Sequence, residues 1–196
     1  MAAGNRAAVF AAATELFSTR GWSATGMRDI ATAAGVSVET VYGAAGSKRA
    51  LLLRVLDIAI VGDDEPVAQA DRPEFQAMAL GTRADRIDAA VAVIATSNQR
   101  TARLMRVFAH AAAGEADLAA AWREAQMRRR LTYARGAQMV SGREPHADVV
   151  DTLWALGSHE VYLHLVELAG WNPEKYRKWL AEQINRSIAP DPEEKP

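Results

Sequence analysis

An all-α protein is predicted by three observations. Apolar residues recur at three- and four-residue spacing along most of the chain, no stretch alternates with the period of two that marks a half-buried strand, and Ser, Thr and Gly stand at the ends of the periodic stretches. Those end positions are where helix caps belong, because the first N–H groups and last carbonyls of a helix have no partner inside it.

In chain order, Val9, Phe10, Ala13, Leu16 and Phe17 form the stripe of a first amphipathic helix, which Arg20-Gly21 ends. Thr25 is the expected N-cap of a short second helix, MRDIATAA, closed by Gly35. Ser37 caps a third, VETVYGAA, with Glu39 in its first turn where the helix dipole favours an anion. Gly46 and Ser47 open a fourth, whose apolar positions include Leu51, Leu52, Val55 and Leu56. The acidic, proline-bearing run GDDEPVAQADRP at 62–73 reads as a loop. Further helices are expected at 74–80, 83–98, 100–113, 116–140, 147–169 and 173–188, with SGREPHAD and GWNP as separators and a frayed tail APDPEEKP.

Composition narrows the function classes. The chain has 196 residues, 49% hydrophobic and 24% charged, enough to bury a real core. Its net charge of −1 gives no global attraction to nucleic acid, so a DNA-binding role has to rest on a local surface. The absence of cysteine excludes disulfides, thiolate nucleophiles and Cys-ligated zinc, and fits a reducing compartment. No apolar run reaches the ~18 residues of a membrane span. Asn5, Arg6, Thr14 and Glu15 interrupt the alanine-rich start, so a signal peptide is not expected, and a cytoplasmic location is. No enzyme constellation emerges. His159 and His164 are five apart rather than three or four, and Glu-x-x-His, HExxH and phosphate-binding glycine motifs are missing, so neither catalysis, a metal nor a cofactor is expected.

Two short helices joined at AGVS are the minimal pattern of a helix-turn-helix, and equally of a helical hairpin with no ligand. The fourth helix adds a puzzle. Lys48 and Arg49 occupy its first turn, where the dipole disfavours cations. A polyanion against that helix end would explain them, since free N–H groups there bind anions. Residues 1–50 carry five cations against three carboxylates, a modest local excess.

The detailed residues resemble one family. The helix ending in LFSTRGW, then T-x-M-R-D-I-A-x-x-A-G-V-S from Thr25 to Ser37, a Val-Tyr pair at 41–42 and G-S-K-x-x-L-L from Gly46 to Leu52 are similar to the N-terminal domain of TetR-family transcriptional regulators. WALGSHEVYLHLVELAGWNPEKYRKWLAEQI looks like the closing helices of actinobacterial-type members. The resemblance implies a three-helix helix-turn-helix domain at 1–50 and a larger helical regulatory domain at 51–196. It implies further that Val38 to Tyr42 lie on the recognition helix, that Tyr42 touches the DNA backbone and that Lys48 sits on a phosphate. The expected DNA-facing set is Thr25, Arg28, Ser37, Val38, Glu39, Thr40, Tyr42 and Lys48. Val38 suits a thymine methyl, Thr40 a base or a phosphate, and Glu39 either cytosine N4 or its own helix dipole. Where the family commonly has a histidine and a bulky aromatic before G-S-K, this chain has Ala44 and Ala45. That thins the packing of the recognition helix against the fourth helix unless Trp22 or Leu51 fills the space.

For the remainder the resemblance implies a cavity for a small apolar effector and a homodimer made by the last long helices. Met105, Phe108, His110, Trp122, Met127 and Tyr133 are the expected pocket residues, being of the types that line apolar pockets and ordinary cores alike. The segment Val149 to Leu168 is apolar on more than one stripe, and Val150, Leu153, Trp154, Val161, Leu165, Leu180 and Ile184 are the expected dimer contacts. The functional expectation is a dimeric DNA-binding regulator, a repressor by the family's habit, acting on a palindromic operator in double-stranded DNA. The alternative is a helical ligand-binding or interaction protein of the same fold with lost or weak DNA binding.

Overall fold

The structure, a computed structural model, describes residues 2–188; the expected frayed tail lies outside them. Ten α-helices are described, with no strand among these residues: α1 (Ala2–Arg20), α2 (Met27–Ala34), α3 (Val38–Ala45), α4 (Lys48–Val61), α5 (Pro73–Gln76), α6 (Arg83–Gly114), α7 (Ala116–Ser141), α8 (Ala147–Leu156), α9 (His159–Tyr162) and α10 (Pro173–Ser187). Short 3₁₀ turns flank α5, and α9 continues into π-helical turns over Leu163–Leu168. The all-α expectation holds.

The chain divides into two compact units. The first comprises the chain up to Asp64 together with Arg103–Arg123, and the second Glu65–Ala102 with the chain from Glu124 onward. Residues 51–64 and 103–123 thus pack with the first fifty.

In the first unit, α1 packs against α2, α3 and α4. Val9, Ala13 and Phe17 are fully buried, as are Ile30 from α2, Val41 from α3 and Leu51 and Leu52 from α4. These side chains are the stripe read from the sequence, and their removal from water is the main term holding the three-helix head together. Gly21 and Gly35 take the left-handed backbone that ends α1 and α2, at φ +81° and +67°. At Gly35 the Val36 N–H reaches back to the Ala31 carbonyl at 3.1 Å, which satisfies the end of α2 and turns the chain toward α3.

One expected cap moves. Gly26, not Thr25, is the N-cap of α2, and its N–H donates to Asp29 Oδ2 at 2.7 Å. Thr25 instead turns inward, only 1% exposed, and its hydroxyl lies 3.1 Å from the Leu16 carbonyl and 2.8 Å from that of Gly21. The carbonyls of Leu16 in α1 and of Gly21 just beyond it outcompete the local capping role.

In the second unit, Phe75, Met78, Ile87, Val91, Val140, Leu153, Tyr176, Leu180 and Ile184 form the core. Thr82 and Asp85 cap α6 reciprocally, the Thr82 N–H donating to Asp85 Oδ2 at 2.9 Å and the Asp85 N–H to Thr82 Oγ1 at 3.3 Å. Arg83 reaches the end of α10, donating to the Ile188 carbonyl at 2.5 Å, where a cation suits the helix dipole.

Two expected helix boundaries change for one reason. Separate helices are expected at 83–98 and 100–113, yet α6 is continuous for 32 residues. Conversely, the helix expected at 147–169 is interrupted at Gly157-Ser158. Asn98 is buried and donates from Nδ2 to the Gly157 carbonyl at 3.0 Å, with the Tyr176 hydroxyl 3.1 Å from the same nitrogen. The Tyr133 hydroxyl donates to that same carbonyl at 2.8 Å. With Gly157 occupied this way, Ser158 restarts the helix by accepting from the Val161 N–H at 3.2 Å.

Candidate nucleic-acid interface

The α2–turn–α3 arrangement presents one face of α3 outward. Val41 is fully buried and anchors the helix, and Ser37 caps it by accepting from the Thr40 N–H at 3.2 Å. The next residue in the chain, Tyr42, points the other way and is 49% exposed. Arg28, Ser37 and Glu39 are exposed, while Val38 and Thr40 are half-buried. Seven of the eight expected DNA-facing residues therefore keep accessible surface. Thr25 does not; its side chain is part of the α1 terminus.

Glu39 finds a local use. Its carboxyl is held below the usual range by its own backbone N–H and then by the Ser37 hydroxyl. A carboxylate folded onto the α3 N-terminus is stabilised by the dipole, which favours that role over a base contact.

Lys48 is the residue whose surroundings differ most from expectation. Its Nζ donates to the Trp22 carbonyl at 2.5 Å and lies 4.0 Å from the centroid of the Trp22 ring. The indole is stacked on Phe17 at 5.8 Å, and its Nε1–H donates to Glu115 Oε1 at 2.5 Å. Partial burial pushes the Lys48 pKa down, and the Glu115 and Asp29 carboxylates oppose that shift. Ser47 caps α4, accepting from the Ala50 N–H at 3.1 Å. Trp22 is buried and Leu51 fully so, while Ala44 and Ala45 are half-buried. Glu115 was not among the expected functional residues. It is the single residue between α6 and α7, and nothing local in the sequence marks a partner 93 positions away.

The expected pocket residues divide between the two units. Met105, Phe108, His110 and Trp122 belong to the first unit, Met127 and Tyr133 to the second. Phe108 and Trp122 meet edge to face at 5.2 Å, with Phe108 in the core, whereas His110 and Met127 are exposed. Tyr133 is committed to the Gly157 carbonyl, and burial raises its pKa. A groove of about 580 Å³ in the first unit is lined by Arg6, Phe10, Thr14, Glu15, Ile58 and Asp64 among others, and by none of the six.

Among the expected dimer contacts, Val150, Leu153, Leu180 and Ile184 are at most 6% exposed within their own chain. A side chain already out of water has no area left to bury against a second copy, so these four are core residues. Trp154, Val161 and Leu165 are half-buried, and the neighbouring Leu168 is 78% exposed. Among the described residues no helix is long and apolar enough to cross a membrane, and no three His, Asp or Glu side chains group as a metal site.

Fold and surface together define a class: a helix-turn-helix head with one face of α3 exposed, followed by a larger helical region. Residues 9–55 match the family model described as Bacterial regulatory proteins, tetR family, so the head is similar to that family's N-terminal domain. The whole chain is similar in fold to a crystal structure from Mesorhizobium loti MAFF303099 assigned to the TetR family of transcriptional regulators. That likeness has 20% identity and a TM-score of 0.67, and covers 96% of each chain. No curated protein matches the chain.

Proposed function

We propose that the chain is a cytoplasmic, one-component transcriptional regulator that binds a palindromic operator as a homodimer. The observation that carries this reading is the α3 face, anchored from behind by Val41 and offering Ser37, Glu39 and the half-exposed Tyr42 outward. In a helix-turn-helix the second helix enters the major groove while flanking groups hold phosphate. Arg28, Tyr42 and Lys48 supply those flanking groups, and Val38 and Thr40 face the bases. A local excess of two positive charges is small for tight binding, and two heads acting together compensate for it.

The dimer face is assigned to Val161, Leu165 and Leu168 along α9 and its π-helical extension, where apolar surface remains exposed. The protein acts as a repressor of the actinobacterial type, and a small apolar effector releases it from DNA. Release is a population shift, limited to the effector's differential affinity for the DNA-binding and non-binding states.

The test is binding to DNA flanking the protein's own coding region across a salt series, with Tyr42→Phe and Lys48→Ala alongside. The expected result is a site-specific complex of two subunits that weakens steeply with salt. Lys48→Ala then lowers the slope by about one unit, the signature of one lost phosphate contact. A folded protein that binds no DNA at low salt would move the reading to a ligand-binding protein of the same fold. The engagement of Lys48 with Trp22 and the alanines at 44 and 45 are what speak for that second reading.

A further inference from the structure

Three separate pieces of chain meet at Trp22. The indole belongs to the loop between α1 and α2, the ammonium above it to the first residue of α4, and the carboxylate on its N–H to the elbow between α6 and α7. Trp22 is 8% exposed and backed by Phe17, so the ring is a fixed partition with a cation on its face and an anion at its edge. A cation on an indole face is favourable because the ring quadrupole is negative there. The carboxylate at the edge is held by the indole N–H, on the same ring whose face carries the ammonium.

Resting on the DNA-binding reading above, we propose that Glu115 is a built-in competitor for Lys48: an anion, carried by the α6–α7 elbow and held at the edge of the indole on which the ammonium rests, that draws this ammonium away from an operator phosphate. The competition has two parts. The carboxylate attracts Lys48 toward Trp22, and it repels a phosphate that approaches the α4 N-terminus. Asp29, the other carboxylate acting on Lys48, is tied to the Gly26 N–H at 2.7 Å within the head itself. Glu115 alone of the two is attached to α6 and α7. A displacement of the elbow that draws Glu115 away frees Lys48 and raises DNA affinity, while one that presses it in lowers affinity. The elbow and the reading head are thereby coupled through one charge.

The experiment is a double-mutant cycle on operator binding with the full-length protein. Glu115→Gln keeps an acceptor for the Trp22 N–H and removes only the charge. It is expected to tighten binding roughly fivefold at low salt, as one charge removed near a partly buried ammonium should, with the gain shrinking as salt rises. In a Lys48→Ala background the same change is expected to give less than half that gain. Glu115→Asp, which keeps the charge, is expected to bind within about twofold of the parent, so that a general loosening of the elbow is told apart from loss of charge. Unchanged or weaker binding by folded Glu115→Gln, or the same gain with and without Lys48, overturns the competitor role while leaving the DNA-binding reading intact. Absence of DNA binding by the parent protein overturns both.

Discussion

Gly157→Ala tests the buried polar core of the second unit most sharply. The backbone at Gly157 has φ −84° and ψ 12°, which alanine adopts without strain, so the substitution isolates a side-chain collision. An ideal Cβ there lies 2.1 Å from the Tyr133 hydroxyl and 2.8 Å from its Cε1 and Cζ. The ring has to swing away, which breaks the 2.8 Å hydrogen bond to the Gly157 carbonyl and strands the buried hydroxyl. Loss of such a bond with a group left unsatisfied costs ~1–3 kcal/mol. Overpacking adds ~1–3 kcal/mol, and the reduced freedom of the unfolded chain returns ~0.4–1 kcal/mol. The net expectation is a destabilisation of about 1–5 kcal/mol, a Tm lower by roughly 2–20 °C for a chain of this size. Thermal unfolding followed by circular dichroism at fixed protein concentration measures it. Tyr133→Phe removes the colliding oxygen, so the double variant is expected to lie above the sum of the single losses. A Gly157→Ala protein as stable as the parent, or strictly additive effects, would refute the placement of that hydroxyl against the helix break.

The other expectations are simpler. Thr25→Val keeps shape but leaves the Leu16 and Gly21 carbonyls without the hydroxyl. It should cost ~1–2 kcal/mol while operator affinity of the folded protein stays constant; reduced affinity at unchanged stability would return Thr25 to the DNA face. Ser37→Ala removes the α3 cap at a cost of about 1 kcal/mol, visible as faster amide exchange at Thr40; unchanged exchange there refutes the cap. Burial lowers the His159 pKa from 6.5 to about 4, against the Glu160 carboxylate and with help from the Arg129 cation. The unfolded chain therefore takes up a proton that the folded one refuses as pH falls from 6.5 to 4. That uptake removes at most about 3 kcal/mol of stability over the interval and nothing more below it. His159→Gln should flatten that part of the stability profile, and an unaltered profile counts against the burial of a neutral imidazole.

What was legible in the sequence is what neighbours in sequence decide. Ser37 and Ser47 cap the helices they precede, and Gly21 and Gly35 adopt positive φ where helices end. The stripe Val9, Ala13, Phe17 is buried, because a 3.6-residue period fixes which side of a helix can face a core. The errors fall where a distant group supplies a partner. Thr25 had a cap to make three residues ahead and two carbonyls behind it, Leu16 and Gly21, within reach of its hydroxyl, and the carbonyls won. The break at Gly157 depends on Asn98 and Tyr133, which are 59 and 24 positions away, and no window of sequence contains all three. Burial of Val150, Leu153, Leu180 and Ile184 followed the apolar pattern correctly, but periodicity does not say whether the cover comes from the same chain or a second one.

Lys48 combines both kinds of evidence. Its Cα lies in the first turn of α4, and the rule against cations there was sound as far as that position goes. A lysine carries its charge at the end of a four-carbon stem, however, and the stem is free to lead it elsewhere. Here it leads back to a carbonyl, an indole face and the range of two carboxylates, Glu115 and Asp29. The α4 N-terminus is thereby relieved of its own cation, and its N–H groups remain the positive end of a dipole. Whatever negative group approaches that end meets backbone N–H groups first and Lys48 only in competition with Glu115. The local rule and the tertiary structure agree once the charge rather than the residue is located. Arg49, the next cation along, is exposed, so the same turn holds one engaged charge and one presented to solvent. That asymmetry is why removal of the Glu115 charge, rather than addition of another cation, is the change expected to alter how this helix end meets a phosphate.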